Sequence, residues 1–600
     1  MKIDRRRALS LLALAGAVPA RMAYAAPQEP GTGAYDFVHG VASGDPLADR
    51  VVLWTRVSPR TKTNARFPVD WEIAASADFA NVVAHGQAIT GPERDFTVKA
   101  DATGLKPNQE YFYRFRAGDA VSPIGRTRTL PQGKLDKAVL AFVSCALYPG
   151  GFFNAYDHIA KLERVDAVVE LGDYYYEYGA APDDYGMNVG SKLNRIPEPT
   201  HDAVTLDDYR MRHAQYKRDA DLQAAHARAP WICVWDDHET ANDSWTGGAE
   251  NHKSATEGPW LTREAAALQA YYEWMPIREP LPGHSFLAIN RTFEFGDLAS
   301  LIMVESRLVA RSEQISYDKP GDVPMMVYET SADGTRKPVT DAKVIGEVFA
   351  AAKAGKAAPA PYMLGPDVAA LNRLLNNPER QMMGTRQEEW LGLELAKSVK
   401  KGVSWQVLGN QVVMARTKGP NIAKELGPDG VAKLLASAPD ALRPRYQAFI
   451  DLMSFDVPFD LDSWDGYPAA RERVYDAMKD AKANVVVLSG DSHAFWVNEL
   501  KDAKGARVAA EFGTSSVTSP SLGDYAPGLD AGKMIAERSP EVLLNDQNNK
   551  GYTLITITRD KLVSEQVGVD ILAKPYTAKT LDRFEVTPKK GGGIAAITKV

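Results

Sequence analysis

Between residues 35 and 130, apolar and polar positions alternate in short runs: "DFVHGVASGDP", "RVVLWTRV", "VDWEIAAS", "FTVKADATGLKPNQEYFYRFRAG" and "PIGRTRTL". A period of two, broken by Gly, Pro and Asp, predicts half-buried strands, and several of them close together predict a β-sandwich. The pattern ends in the polar, turn-rich "LPQGKLDKA". A small all-β domain is therefore expected over residues 33–132.

After it the periodicity changes. "AVLAFVSCA" is one continuous apolar run, and "GFFNAYDHIAKLER" follows with helical spacing. Then come "VDAVVELGD" as a strand, "TLDDYRMRHAQYKRDADLQAAHA" as a helix and "PWICVWDDHE" as a strand. Runs apolar on both faces, alternating with helices, predict parallel strands covered on both sides. Later strands are expected at "SWQVLGNQVVMA", "ANVVVLSGDSHAFW" and "YTLITITRDKLVSEQVGV". The fold class is α/β over residues 137–585, a layered sheet-and-helix domain. Two polar stretches, 179–206 and 242–258, follow acidic strand ends; loops of that length are often lids.

Composition adds three constraints. Six hundred residues, 45% hydrophobic, is globular but too long for one core. Residues 1–26 combine a basic start with a modest apolar stretch and Ala23-Tyr24-Ala25, which reads as an export signal. Arg5-Arg6-Arg7 supplies the double arginine of the twin-arginine route, with a plain secretory signal as the alternative. The mature chain is then expected in the periplasm or medium. No later stretch nears the ~20 apolar residues of a membrane span, so no stable membrane anchor is expected. Removing residues 1–26 takes away five positive charges (Lys2, Arg5, Arg6, Arg7, Arg21) and one negative (Asp4), moving the net charge from −7 to −11. That acidity argues against a nucleic-acid-binding module. Cys145 and Cys233 are the two cysteines. A disulfide is the default in an exported chain, but Cys233 lies inside an apolar run whereas Cys145 stands where a strand stops.

Ligands of α/β sheets sit beyond the carboxyl ends of the strands. Four such ends here carry chemistry: Cys145; Gly172-Asp173 with Tyr176; Asp236-Asp237-His238-Glu239 with Asn242 and Asp243; and Asp491-Ser492-His493. Each alone reads as a cap, a packed aromatic or a hydrogen-bonded core histidine. Together they predict a metal site. Thiolate and imidazole favour transition metals, carboxylates and amide oxygens hard cations. A phenol, with pKa of about 10, binds as phenolate only to a strong Lewis acid, which makes Fe3+ the natural candidate near Tyr176. Asp173 can bridge to a harder ion held by Asp237 and Asn242, and two cations on one carboxylate are a recurring device for phosphoryl displacement.

The order and type of these residues resemble the calcineurin-like metallophosphoesterases, with "GDYYY" at their Gly-Asp-x-x-Asp or -Tyr, "WDDHE" at their Gly-Asn-His-Asp/Glu, and "GDSH" at their Gly-His-x-His. The chain is more similar still to PhoD-type alkaline phosphatases. That likeness rests on "VASGDPLADRVVLWTRV", "SCALYPGGFFNAY", "LGDYYYEYG", "VWDDHETANDSW", "WDGYPAARERV", "LSGDSHAFW" and "EFGTSSVTSPSL". "GLKPNQEYFYRF" gives the N-terminal sandwich a fibronectin type III-like look. The resemblance implies Fe3+ with Ca2+, a small phosphate ester (mono- or diester) as substrate, and the twin-arginine export machinery as a partner. By position, Cys145, Asp173 and Tyr176, with Asp491 or His493, would hold iron, and Asp173, Asp237 and Asn242 calcium. His238 would hydrogen-bond the phosphate or protonate the leaving oxygen, and Arg307 would clamp phosphate, a surface ion pair being its alternative. Where relatives have Asp-x-His this chain has Ser144-Cys145, so their dizinc or iron–zinc site does not transfer directly.

The expected reaction is in-line attack of metal-activated water on phosphorus, since no nucleophilic serine occupies a recognisable elbow. A phosphodiesterase, including phospholipase D-type activity, is the alternative within hydrolases. A non-catalytic, wall-binding surface module is the alternative outside them.

Overall fold

A computed structural model describes residues 33–600 apart from 332–333, 355 and 439–442. The expected export signal at residues 1–26 lies outside the described residues. No helix among them is long and apolar enough to cross a membrane.

Two large sheets face each other. In the first, Lys137–Val143, Ala167–Glu170 and Trp231–Cys233 pair in parallel, Leu140 opposite Ala167 and Val168 opposite Trp231. The end of the chain extends it antiparallel through Gly551–Thr558, Leu562–Val569 and Ala578–Val586. On the other side Trp231 bridges in parallel to Gly44, and the sheet runs on into Val41–Gly44, Arg50–Arg56 and Thr97–Thr103. The N-terminal region is thus a two-layer sandwich of which one layer continues this first large sheet. Its other layer is built around Phe67–Ala74, Val82–Thr90 and Glu110–Ala117, and Val51 and Leu53 pack with Val69, Ile73 and Phe115 between the layers.

The second large sheet has four parallel strands at its centre, Ala299–Met303, Trp405–Gly409, Val485–Ser489 and Arg507–Gly513. Its alternation shows how the layers stack. Leu301, Met303, Val407, Val486 and Leu488 join Phe142, Val169 and Ile555 of the first sheet in one apolar core. Their neighbours Ile302, Leu408, Val485 and Val487 face Leu391 and Leu395 of helix Thr385–Lys400 and Val474 and Met478 of helix Pro468–Asp480. Successive side chains point to opposite faces, so a strand buried on both must be apolar throughout. This is the layered α/β arrangement expected from the continuous apolar runs.

Two expected strands are shorter than their apolar runs, and one expected helix is divided. "PWICVWDDHE" pairs only over Trp231–Cys233, and "SWQVLGNQVVMA" only over Trp405–Gly409. The helix over 205–227 is two helices, Leu206–Lys217 and Ala220–Arg228, because Asp219 caps the second by accepting from the Asp221 and Leu222 amides at 3.0 and 3.3 Å. The polar stretches are not structureless either: helix Met187–Leu193 and the single turn Ser254–Glu257 lie within them. Both cysteines are buried and free, so the default disulfide is not formed.

Candidate metal centre

The four chemistry-bearing strand ends do meet, but from two sheets. Lys137–Val143, Ala167–Glu170 and Trp231–Cys233 deliver Cys145, Asp173 and Asp236 to His238, while Val485–Ser489 of the facing sheet delivers Asp491 and His493. Each turn into the site is sharp. Cys145, Asp173, Asp243, Asp491 and His493 have φ of 61°, 55°, 51°, 61° and 58°, the left-handed region that side chains with a Cβ occupy at a cost of about 1–3 kcal/mol. Gly172 allows a close approach: a Cβ there would stand 2.3 Å from the Asp236 amide nitrogen.

A buried acid ties the first-sheet loops together. Glu239 accepts the amide N–H groups of Asp173 (3.1 Å), Tyr174 (2.6 Å) and Asp236 (2.8 Å). Glu305 likewise accepts from the Trp235 indole and from the amides of Arg307, Leu308 and Val309 at 2.7–2.9 Å, locking the segment that carries Arg307 onto the strand end that carries Asp236.

Asp173 is the hub. Ligand atoms of Cys145, Asp173 and His493 lie within 4.8 Å of one another, and the same holds for Asp173, Asp237 and His238, and for Asp173, Asp236, Asp237 and Asp491. Asp173 belongs to all three groups. Its Oδ2 accepts from the Tyr176 hydroxyl at 3.1 Å, whereas its buried Oδ1 has no protein partner. The Tyr176 hydroxyl also lies 3.0 Å from His493 Nε2 and accepts from Ser519 at 2.7 Å. His493 Nδ1 sits 2.8 Å from the Pro520 carbonyl, which can only accept, so its proton is on Nδ1 and Nε2 presents a lone pair.

The electrostatics call for a cation. Burial and then the neighbouring acids Asp237, Asp236 and Glu239 push the Asp173 carboxyl well above the usual range, against the pull of His238. Burial and Asp236 do the same to Asp491, and burial and Asp173 raise both the Cys145 thiol and the Tyr176 phenol. Burial, then Lys550, push His493 down to about 3. A positive ion inverts this logic at the two carboxyls, the thiol and the phenol, and favours the same neutral imidazole at His493. The Cys145 thiol and His493 imidazole group with Asp173 in one set, beside the Tyr176 phenol, and Asp236, Asp237 and Asp491 group with it in another, so the donor chemistry fits a soft or strongly acidic ion beside a hard one.

Arg307 is neither on the surface nor free. It is completely buried, with Nε and Nη2 on the two oxygens of Asp236 (2.5 and 3.2 Å), Nη1 on Asp462 (2.6 Å) and Nη2 also on Asp491 (3.2 Å). These bonds engage four of its five N–H donors. The alternative of a surface ion pair is therefore excluded, since the pairs are buried, and the fork that would grip phosphate is held by Asp236. Asn242 joins the site through Glu177, whose Oε1 accepts its amide at 2.7 Å, and its own Oδ1 accepts from Tyr178 at 2.9 Å.

Two comparisons decide the family. A model of the PhoD-like phosphatase matches residues 140–565, and a model of the PhoD-like phosphatase N-terminal domain matches residues 23–131. Alkaline phosphatase D of Bacillus subtilis (strain 168) is 33% identical over 582 residues, which is 95% of this chain and 84% of that protein. The chain belongs to the PhoD-like phosphatase family. A solved structure of PhoD superposes with a TM-score of 0.71 at 30% identity, covering 95% of this chain and 93% of that one. The protein is a phosphoric ester hydrolase with a PhoD-type fold, and its acidic and histidine clusters could hold metal, as befits such a phosphatase.

Within this phosphatase, Glu239, Glu177, Glu305 and Asp462 had no role assigned from the sequence. Glu239 and Glu177 sit inside the motifs "WDDHE" and "GDYYYEYG", but nothing in their spacing says which groups they bond. Asp462 arrives from more than two hundred residues beyond Asp236 and carries no motif of its own.

Proposed function

We propose that this phosphatase cleaves small phosphate esters at the cluster centred on Asp173. Fe3+ would be held there by Cys145, Asp173, Tyr176 and a group of the Asp491-His493 turn, and Ca2+ by Asp173, Asp237 and Asn242. The observation that carries this reading is Asp173 itself, common to three groups of donors and with a buried, unpartnered Oδ1. Iron is favoured by the phenol and thiol on one side, because a phenol gives up its proton only to a strong Lewis acid. When bound, such ions supply charge neutralisation for the phosphate and activation of water.

The chain's own residues do the rest. Asp173 and Asp237 hold fixed negative charge where cations are needed. Arg307 keeps Asp236, Asp462 and Asp491 together as one compensated cluster. His238, with a ring nitrogen within 4.8 Å of the Asp173 and Asp237 oxygens, is placed to donate a proton to the departing alkoxide.

The test is the visible spectrum and metal content of the purified protein beside its turnover of an aryl phosphate monoester and the matching diester. A broad purple band from tyrosinate-to-iron charge transfer, with iron and calcium bound and monoester preferred, is the expected result. A colourless active protein rules out iron on Tyr176, and faster turnover of the diester makes the enzyme a phosphodiesterase.

We further propose twin-arginine export to the periplasm or medium, supported by Arg5-Arg6-Arg7 ahead of an apolar stretch and Ala23-Tyr24-Ala25. Replacing Arg6 and Arg7 by Lys should leave the precursor uncut inside the cell; normal processing of that variant overturns the route.

A further inference from the structure

We propose that Glu177 is the positioning residue of His238: it accepts from the Nδ1 proton, which fixes the ring and supports the doubly protonated imidazolium whose Nε2 proton passes to the leaving oxygen, the ring ending as the neutral Nδ1–H form. The inference rests on the reading of His238 as the proton donor to the leaving group.

The geometry is specific. Glu177 is completely buried, and its Oε2 stands 2.7 Å from His238 Nδ1. A carboxylate can only accept, so this bond assigns the Nδ1 proton. The ring is then wedged between the Tyr176 ring, 4.1 Å away between centroids, and the Tyr178 ring at 5.3 Å in an edge contact. The backbone beneath is pinned from outside. Arg212, buried in helix Leu206–Lys217, donates to the carbonyls of Tyr176 and Tyr178 on either side of Glu177.

Sequence proximity points to a different partner. Glu239 follows His238 directly, yet both its oxygens are committed to backbone amides and it cannot serve the ring. Glu177 reaches His238 across 61 residues instead.

Its second oxygen accepts from the Asn242 amide and the Asn251 side chain, both at 2.7 Å. Those two bonds alone would be satisfied by a glutamine. What requires a carboxylate is the bond to His238. A glutamine that keeps its carbonyl on Asn242 must turn its NH2 toward Nδ1, and that NH2 can bond only an unprotonated ring nitrogen. The ring then stays a neutral imidazole, whose Nε2–H is too weak an acid to protonate the departing alkoxide oxygen in step with bond cleavage. Glu177→Gln is therefore a variant that leaves the loop bonds in place but removes the carboxylate that supports the imidazolium, and a histidine held as neutral imidazole loses its proton-donor role.

The experiment compares wild type, Glu177→Gln, Glu177→Asp, His238→Asn and the Glu177→Gln/His238→Asn double variant. The substrates are a series of phosphate monoesters running from p-nitrophenyl through phenyl to alkyl, with metal content and melting temperature measured on each protein. Proton donation matters most for poor leaving groups, so Glu177→Gln should lose about 10²-fold in kcat on alkyl esters and under about tenfold on p-nitrophenyl phosphate, with KM little changed. His238→Asn should steepen the series at least as much, and the double variant should be no worse than His238→Asn, because residues acting as a unit are not additive. Glu177→Asp, which keeps the charge one methylene back, should recover part of the slope, and it carries the test if the glutamine variant does not fold.

A uniform loss across the series, an additive double variant, or loss of metal from a folded Glu177→Gln protein overturns the proposal. If His238→Asn itself leaves the series parallel to wild type, the reading of His238 fails and the inference with it. If His238→Asn steepens the series and neither Glu177 variant does, only the inference fails.

Discussion

Asp173→Asn should empty the site and abolish turnover together, yet make the metal-free chain harder to unfold. The two halves have one cause. Asp173 is buried among Asp236, Asp237 and Glu239, with one oxygen unpartnered, and burial and these acids raise its pKa. In the unfolded chain at neutral pH the group is ionised; on folding without a cation it must take up a proton or carry an unshielded charge. An acid whose folded pKa is raised loses stability relative to the unfolded state as pH rises from its ordinary value toward the folded one. Asparagine has nearly the same shape and nothing to titrate. In metal-stripped protein at pH 8 the variant should therefore gain about 1–3 kcal/mol, the scale of an unmet buried polar group. The loaded protein should show the reverse. Without the shared carboxylate neither ion is held, and kcat/KM should fall by about 10⁴-fold or more, about 5.5 kcal/mol of transition-state stabilisation. Metal analysis, denaturant unfolding with and without chelator, and kinetics on one preparation check all three. Near-wild-type activity, or a metal-free variant weaker than wild type, would remove Asp173 from the hub.

Much of this site could be read from strand ends because apolar runs announce where strands stop. "VVELGD" places Asp173 with no further information, and "VVVLSGDSH" places Asp491 and His493 in the same way. The sequence does not say that the second run belongs to a different sheet, since apolar periodicity identifies buried strands but not their neighbours. The β-sandwich was legible from its alternation. Its fusion to the catalytic sheet was not, because that depends on one parallel bridge, Trp231 to Gly44, between strands far apart in the chain. Acids whose bonds are all long-range were equally silent. Glu239, Glu305 and Glu177 look like ordinary charged residues, and their roles exist only once distant amides and a ring are brought to them. Arg307 was picked out by residue type, which suits phosphate. Type alone could not reveal that the fold surrounds it with carboxylates.

That crowding makes Arg307→Met a test of what the arginine does. Its guanidinium bonds Asp236, Asp462 and Asp491, and Asp237 lies 3.8 Å away, all in a pocket that excludes solvent at the arginine itself. Removing one partner of a buried ion pair leaves the other charged and unpaired, a loss of about 3–5 kcal/mol, whereas the pair as a whole is worth far less. Methionine keeps the volume, so the loss is electrostatic rather than a cavity effect. The penalty should depend on the cations. In metal-free protein nothing else neutralises these acids, and the full destabilisation should appear. In loaded protein the ions share the same carboxylates, so the difference from wild type should shrink by half or more. A phosphate clamp predicts another pattern: stability unchanged in either state, with weaker competitive inhibition by inorganic phosphate. Unfolding with and without chelator separates the two. Equal, small losses in both states would return Arg307 to the substrate, because a residue that binds phosphate has no reason to care whether the chain alone is balanced in charge.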